Sequence, residues 1–542
     1  MGDIERLADA ADEGDAVDGE VVDGHAAAAG DALIGTVISD DRSPSFEEVR
    51  FRLEPHAAVS PGQFAVAVTE RPGDAVFTLV RVLDVHETNP HEDALSSKTR
   101  SVLSFPTDYA HEETSTVIYR IARAEPVEEM TATADGVGDP REVSTLPRAG
   151  GVVLAAGPDV VSRALGMPAD PQDGIHVGSL HTDRTVPIVL TPPTVQRHVL
   201  VVGGIGSGKS YTRGVLGEEL HSLGVPQVNI DVNGEMVAAA EAMGGVNLVP
   251  GASESGFTLP LSALTREDLL EAVSGVNRGT NIETLIGYAF DDMQREVRQG
   301  RAERFGVADL VAHIERVAPR LKMEAAQTLR PAQQRTQALE RMDFIGEPFA
   351  WADALTPGAF VNIDCRTRVL SDLRVITAAV ARDIQSLARR RAIPFVVLSI
   401  DEFHLVAPND DRNVSTQVLR EIARIGRHYR IGLILTTQSP ADVDRSILKR
   451  LLTRFIHAIE PDQLDALRGV FADAAPEVVR RLPKMPTGTC VLTGVSETVR
   501  HATVIDVRGR VTPHGGQTPD VWADLRERGW ATKRPLGDIG GA

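Results

Sequence analysis

Residues 203–210 read Gly203-Gly204-Ile205-Gly206-Ser207-Gly208-Lys209-Ser210, a complete G-x-x-x-x-G-K-[ST] loop directly after the apolar run Val199-Leu200-Val201-Val202. A short apolar run before such a loop reads as a buried strand, and the loop then opens a helix. The glycines let the backbone turn so that its N–H groups converge, and the helix N-terminus adds partial positive charge, so the loop suits phosphate groups. Lys209 is placed to neutralise β/γ oxygens and Ser210 to offer a hydroxyl to Mg²⁺, with Tyr211 next along the helix. A glycine-rich left-handed turn explains the glycines but not the lysine, because only six lysines occur among 542 residues.

A chain of 542 residues is too long for one core and divides into two or three domains. No stretch approaches the ~20 apolar residues of a membrane span. The N-terminus is acidic instead of basic then apolar, so a cytoplasmic protein without membrane association is expected. Cys365 and Cys490 lie far apart without a C-x-x-C pair, which argues against a zinc site or a disulfide framework. The net charge of −20 would ordinarily disfavour a nucleic-acid partner. Six lysines against fifty arginines, with abundant Asp, Glu, Ala and Val, is however similar to the composition of proteins from extreme halophiles. In molar salt the Debye length is only ~3 Å, so a local basic loop acts almost independently of a distant acidic surface.

Residues 1–31, with ten acidic residues and one arginine, read as a disordered acidic tail. Short β-favouring runs at Leu33–Ile38, Val49–Leu53, Phe64–Val68, Val76–Val80 and Val117–Ile121, separated by turn formers, predict a small β-barrel over 32–148. An α/β core is expected over 149–262 and 343–512, where strand-length apolar runs alternate with helical stretches. Its candidate strands are Pro226–Asp231, Phe360–Ile363, Phe395–Asp401, Leu433–Thr437 and Phe455–Ile459. Residues 263–342 carry helix-like sequence only and read as a helical insertion. Residues 513–542 form a C-terminal tail whose amphipathic piece Val521–Arg528 is either a brace for a neighbouring subunit or a plain surface helix.

The run Phe395–Ile400 ends in Asp401-Glu402. With the phosphate loop upstream, Asp401 fits the support of a Mg²⁺ shell and Glu402 the activation of an attacking water. Taken alone, the same pair is a common solvated helix start. Ile431–Thr437 is followed by Gln438, placed at the carboxyl edge of the sheet, where it can sense a γ-phosphate or simply occupy a turn. Arg420, Arg424, Arg427 and Arg430 lie on or just past a helix. They read equally as a solvated helix end and as an arginine finger for a neighbouring subunit. Asp231 and Glu235 bracket Gly234 and face either the phosphates or a turn that Asp231 initiates.

In their order along the chain these motifs resemble the HerA branch of the HerA/FtsK superfamily of hexameric DNA-translocating ATPases. The matching residues are Arg197-His198, Gly204 to Thr212, Asp231 with Gly234-Glu235, Asp401-Glu402, Arg424-x-Gly-Arg427 and Gln438-Ser-Pro. The resemblance implies a RecA-like (ASCE) P-loop NTPase core with a helical insertion, preceded by a small HAS-barrel-like domain. It implies ATP and Mg²⁺ as cofactors, with Lys209 and Ser210 on the triphosphate and metal, Asp401 supporting the metal and Glu402 activating water. Gln438 becomes the phosphate sensor, Arg427 with Arg424 the trans finger, and Arg197 and Asp231 further positions near the nucleotide. Where the family shows Asp-Pro-His-Gly-Glu-Tyr, this chain has Asp231-Val-Asn-Gly-Glu-Met236.

The implied activity is an ATP-driven DNA translocase or helicase. It forms a homo-hexamer on double-stranded DNA without sequence preference and acts with a NurA-like nuclease in processing ends at double-strand breaks. Arg278 or the region Arg295 to Arg304 would supply pore contacts. The alternatives are a conjugation-type or protein-remodelling motor, and a nucleotide-gated scaffold.

Overall fold

The computed structural model describes residues 32–529 apart from 41–42, 73, 89–118, 134–135, 253–256, 274–278, 410–412, 471–475, 496–498 and 516–520. The acidic segment 1–31, Arg278 and the residues after 529 lie outside the described set.

Six antiparallel strands close the N-terminal barrel in the order Val49–Leu53, Leu33–Val37, Val152–Ala155, Phe64–Arg71, Asp74–Thr88 and Tyr119–Thr133, the last pairing back onto the first. Strand alternation places Val49, Phe51 and Leu53 inside and Arg52 outside. Ala65, Ala67, Ala122 and Ala124 keep the interior narrow. At Gly35 a Cβ would fall 2.3 Å from the Arg52 carbonyl, so the bulge there requires glycine. The strand Val152–Ala155 lies beyond residue 148, where the sequence patterning ended the barrel. Four residues after the Gly150-Gly151 turn are too few to show a period. A second apolar set on the barrel, including Val66, Phe77, Leu79 and Met130, packs against Ile175, Val177 and Ile188 of the core.

Glu129 anchors the segment leaving the barrel. Burial would raise its carboxyl, but the Ser144 hydroxyl and amide, the Thr145 amide and Arg141 outweigh it and hold the group down to about 2. A depressed carboxylate stabilises the fold above its unfolded pKa, near 4.5, and loses that contribution as pH falls through about 2. Glu129→Gln is therefore expected to lower stability by ~2–3 kcal/mol at pH 7. In denaturant titrations the difference from wild type should shrink as pH drops below 4; a pH-independent difference would contradict the assignment.

The core is one eleven-stranded sheet. Seven parallel strands run in the order Val246–Leu248, Phe360–Asp364, Gln227–Asp231, Val396–Ile400, Ile431–Thr437, Val199–Val202 and Thr453–His457. Thr489–Thr493, Thr503–Val507, Ile175–Leu180 and Asp183–Leu190 extend it antiparallel toward the barrel. All residues of Val199–Val202, Gln227–Asp231, Val396–Ile400 and Ile431–Thr437 are buried, as parallel strands covered on both faces require.

Helices Arg266–Ala272, Asn281–Arg298, Val307–Val317 and Ala326–Gln337 fill the insertion. Leu285, Phe290, Leu310 and Ile314 join them to the core cluster. Among the described residues no helix is long and apolar enough to cross a membrane.

Candidate nucleotide site

The carboxyl ends of the central strands bring the phosphate loop, the acidic pair and Gln438 to one edge. Val199–Val202 leads straight into the loop, where Gly206 (φ 73°) and Gly208 (φ 112°) are left-handed. Such angles penalise any residue with a Cβ. Gly203 is fixed differently: a Cβ there would lie 2.3 Å from the Ser207 hydroxyl and 2.7 Å from His457. The Ser207 hydroxyl donates to the Gly204 carbonyl at 2.8 Å, and the Gly204 amide to Ala458 at 2.8 Å, so both flanks of the loop are tied down. Its tip, Ile205, is 92% exposed. From the other side Thr487 donates to the Gly206 carbonyl and the Gly488 amide to the Ser207 carbonyl. His457, kept neutral by burial and held down to about 4, meets the Thr212 hydroxyl at 2.8 Å beneath the loop.

Lys209 starts the helix Lys209–Ser222 and is itself buried. Its Nζ stands 3.6 Å from Glu402 Oε1. Glu402 follows the end of Val396–Ile400 in a left-handed conformation, φ 43° and ψ 48°, which turns its side chain away from that of Asp401 and toward the loop. Glu402 Oε2 also meets His404 Nδ1 at 3.3 Å and accepts the Gln438 amide at 3.4 Å. Gln438 lines a cavity of about 510 Å³ together with Gly204 to Ser207, Ile459 and Met485.

Asp401 points inward, accepting the Thr436 hydroxyl at 2.6 Å and the Asn233 amide at 3.2 Å. Asp231 is fully buried and accepts the amides of Glu235 and Met236, with Gly234 at φ 74° completing that turn. Burial raises the Asp231 carboxyl above its ordinary range, against the pull of Arg213. The same turn delivers Glu235 beside Ser210, whose hydroxyl acts to lower its carboxyl. Burial and then the neighbouring Asp401 raise Glu235, and its Oε2 is buried without a hydrogen-bond partner. An orphaned carboxylate oxygen beside Ser210, with Asp401 close enough to act on it, is a donor set of the hard oxygens that Mg²⁺ prefers.

Other candidates lie elsewhere. Arg197 sits at the opposite, amino end of Val199–Val202, and the exposed Arg424 and Arg427 sit at the amino end of Ile431–Thr437. Six residue steps along that strand place them ~20 Å from the loop of their own chain. Tyr211 turns outward, its hydroxyl accepting the Arg510 amide. In the insertion Arg295 pairs with Asp292 and Arg304 with Glu347.

Several residues of the cluster carried no sequence signal. Arg213, one turn after Lys209, would ordinarily be read as a solvated helix residue, yet it is 2% exposed under the acidic groups. Asn233, His404 and His457 reach the site only through the fold.

Comparison with known proteins agrees with this geometry. A family model described as the central domain of helicase HerA matches residues 175–384. The chain is 23% identical to the DNA double-strand break repair helicase HerA of Pyrococcus furiosus, over 83% of this chain and 88% of that protein. It is 22% identical to the protein of the same name from Sulfolobus acidocaldarius, over 63% and 71%. Among solved structures, VirB4 of Thermoanaerobacter pseudethanolicus superposes with a TM-score of 0.52 at 14% identity, covering 63% of this chain and 98% of that one. At that identity the VirB4 likeness speaks for the fold of the core alone. The HerA match runs through the loop, the Asp231 turn and the insertion, and the curated HerA alignment spans most of the molecule, so the chain is similar to the HerA-type ATPases over most of its length.

Proposed function

We propose that this protein is an ATP-hydrolysing, ring-forming translocase of double-stranded DNA that works with a separate nuclease at DNA ends. The observation carrying this reading is the approach of Glu402 to Lys209 at 3.6 Å at the head of the phosphate-loop helix, while Arg424 and Arg427 stand at the far edge of the sheet. A carboxylate at that place is within reach of a water attacking a γ-phosphate seated on the loop. Glu402 takes the water's proton as the new P–O bond forms, and Lys209 balances charge on the β/γ oxygens. Gln438, whose backbone N–H donates to Glu402, registers through its side chain whether the γ-phosphate is present. Ser210 and Asp401, with Glu235 beside them, would hold Mg²⁺, which offsets the triphosphate's charge when bound.

Arg427, with Arg424 second, cannot serve its own loop across the sheet, so it serves the loop of a neighbouring subunit. A head-to-tail contact of this kind closes into a ring. Arg427→Ala should lower turnover by ~10³-fold or more. Mixing it with Lys209→Ala, also inactive, should restore part of the rate, because some interfaces would pair an intact loop with an intact arginine. Mixtures no more active than either variant would remove the trans assignment.

The names of the relatives motivate DNA as the cargo. ATPase rate in molar KCl, with and without blunt duplex ends, tests it: stimulation and duplex movement are expected. Turnover indifferent to DNA but raised by a protein partner would favour a protein-remodelling motor.

A further inference from the structure

We propose that Arg213 is a positioning residue for hydrolysis: from beneath the site it fixes Asp231 and Asp401, and through them the oxygen shell beside Ser210. The inference rests on the nucleotide-hydrolysing reading above.

Arg213 follows Lys209 by four residues, so both lie on one face of the helix, ~6 Å apart along its axis. Lys209 faces Glu402, and Arg213 faces Asp231 and Asp401. The guanidinium is held by neutral partners: Nε donates to the Ser399 hydroxyl at 3.0 Å and Nη2 to the Ile230 carbonyl at 3.5 Å. These partners sit near the carboxyl ends of the strands that lead into Asp401 and Asp231. The fork is thus oriented before either carboxylate is considered.

Nη1 is left between the two acids, 3.9 Å from Asp231 Oδ1 and 3.7 Å from Asp401 Oδ2, buried and hydrogen-bonded to neither. Each carboxylate already has directional partners, the Glu235 and Met236 amides on Asp231 and Thr436 with Asn233 on Asp401. What Arg213 adds is a fixed charge equidistant from both.

That charge is needed. Asp231, Glu235, Asp401 and Glu402 converge on the site, and Lys209 is the cation that a triphosphate would engage. Of the other guanidiniums nearby, Arg510 is buried beside Glu218, and Arg366, packed at Gly234, is paired with Asp364. Arg213 therefore remains as the counter-ion of Asp231 and Asp401 while Lys209 is on phosphate. A lysine would supply the charge without the fork that Ser399 and Ile230 orient, so the two side chains are not equivalent here.

The test uses the full chain with Arg213→Met, Arg213→Lys and Ser399→Ala. Four quantities are read: kcat, KM for ATP, the Mg²⁺ concentration for half-maximal rate, and affinity for a fluorescent ATP analogue with Mg²⁺ and with EDTA. By the usual weight of groups that orient metal-binding side chains, Arg213→Met should cost about 10–100-fold in kcat and in Mg²⁺ half-saturation. Its affinity in EDTA should change much less, so the gain in affinity that Mg²⁺ brings to wild type is largely lost. Arg213→Lys should recover part of that gain.

A folded Arg213→Met that keeps the wild-type Mg²⁺ response overturns the proposal, whatever its kcat, because a purely structural residue would scale the rate without moving the metal dependence. If Arg213→Met does not fold, Ser399→Ala decides, since it keeps the charge and frees the fork. It should shift Mg²⁺ half-saturation in the same direction by a smaller factor, and an unchanged value refutes the positioning role. A wild type that binds nucleotide without hydrolysing it would remove the parent reading alone, because the Mg²⁺ and EDTA affinities still report on Arg213.

Discussion

Glu402→Gln is expected to bind ATP with nearly wild-type affinity and to hydrolyse it ~10²–10⁴-fold more slowly, the usual weight of a lost general base. The amide keeps the shape and can still meet His404 and the Gln438 amide, so the loop cavity should be preserved. It cannot take a proton from water. Losing the negative charge 3.6 Å from Lys209 also frees the ammonium for phosphate, so the Kd for ATP should hold or tighten slightly. Single-turnover hydrolysis beside equilibrium nucleotide binding separates the two effects. A variant that hydrolyses normally would take Glu402 out of the chemistry. In cells, a motor would stall with ATP bound, whereas a nucleotide-gated scaffold would keep its role.

Lys209→Ala should fail at the earlier step. The side chain is buried beside Glu402, and its removal leaves Glu402, Glu235 and Asp401 facing an incoming triphosphate with Arg213 held beneath Asp401. Charge-assisted hydrogen bonds contribute ~1.5–3 kcal/mol each, so losing two to the β/γ oxygens should weaken ATP binding by ~10²–10⁴-fold. AMP, which lacks those oxygens, should lose far less, and titration with AMP, ADP and ATP would show it. Equal losses for all three nucleotides would mean that the loop collapsed instead of losing one contact. The two variants together distinguish a site that cannot fill from one that fills and stalls.

Much of this site was legible because short-range chemistry wrote it. A loop with Gly206 and Gly208 at left-handed angles, followed by a lysine, can do few things after a buried strand. Apolar runs of the right length marked the central parallel strands, since burial on both faces leaves no alternation to misread. The antiparallel extension was less visible. Ile175–Leu180, Asp183–Leu190, Thr489–Thr493 and Thr503–Val507 are short and mixed in polarity, and the two hairpins they form meet only where Thr503–Val507 pairs with Ile175–Leu180, a distant segment of the chain. The barrel's strand Val152–Ala155 escaped for the same reason, its partners Leu33–Val37 and Phe64–Arg71 being distant in sequence.

Residue order alone carries a phosphate loop after an apolar strand, an acidic pair closing a strand, and a succession of motifs that resembles one family. These depend on the covalent succession of residues and on periodicity, which a chain carries before it folds. Which charges meet was set by folding. It put Glu402 on Lys209 through a left-handed backbone turn, slid Arg213 under Asp231 and Asp401, brought Glu235 to Ser210, and sent Arg424 and Arg427 to the opposite edge of the sheet. Electrostatic pairing depends on through-space distance and burial, and at this site the paired groups come from segments as far apart as Thr212 and His457, 245 residues along the chain.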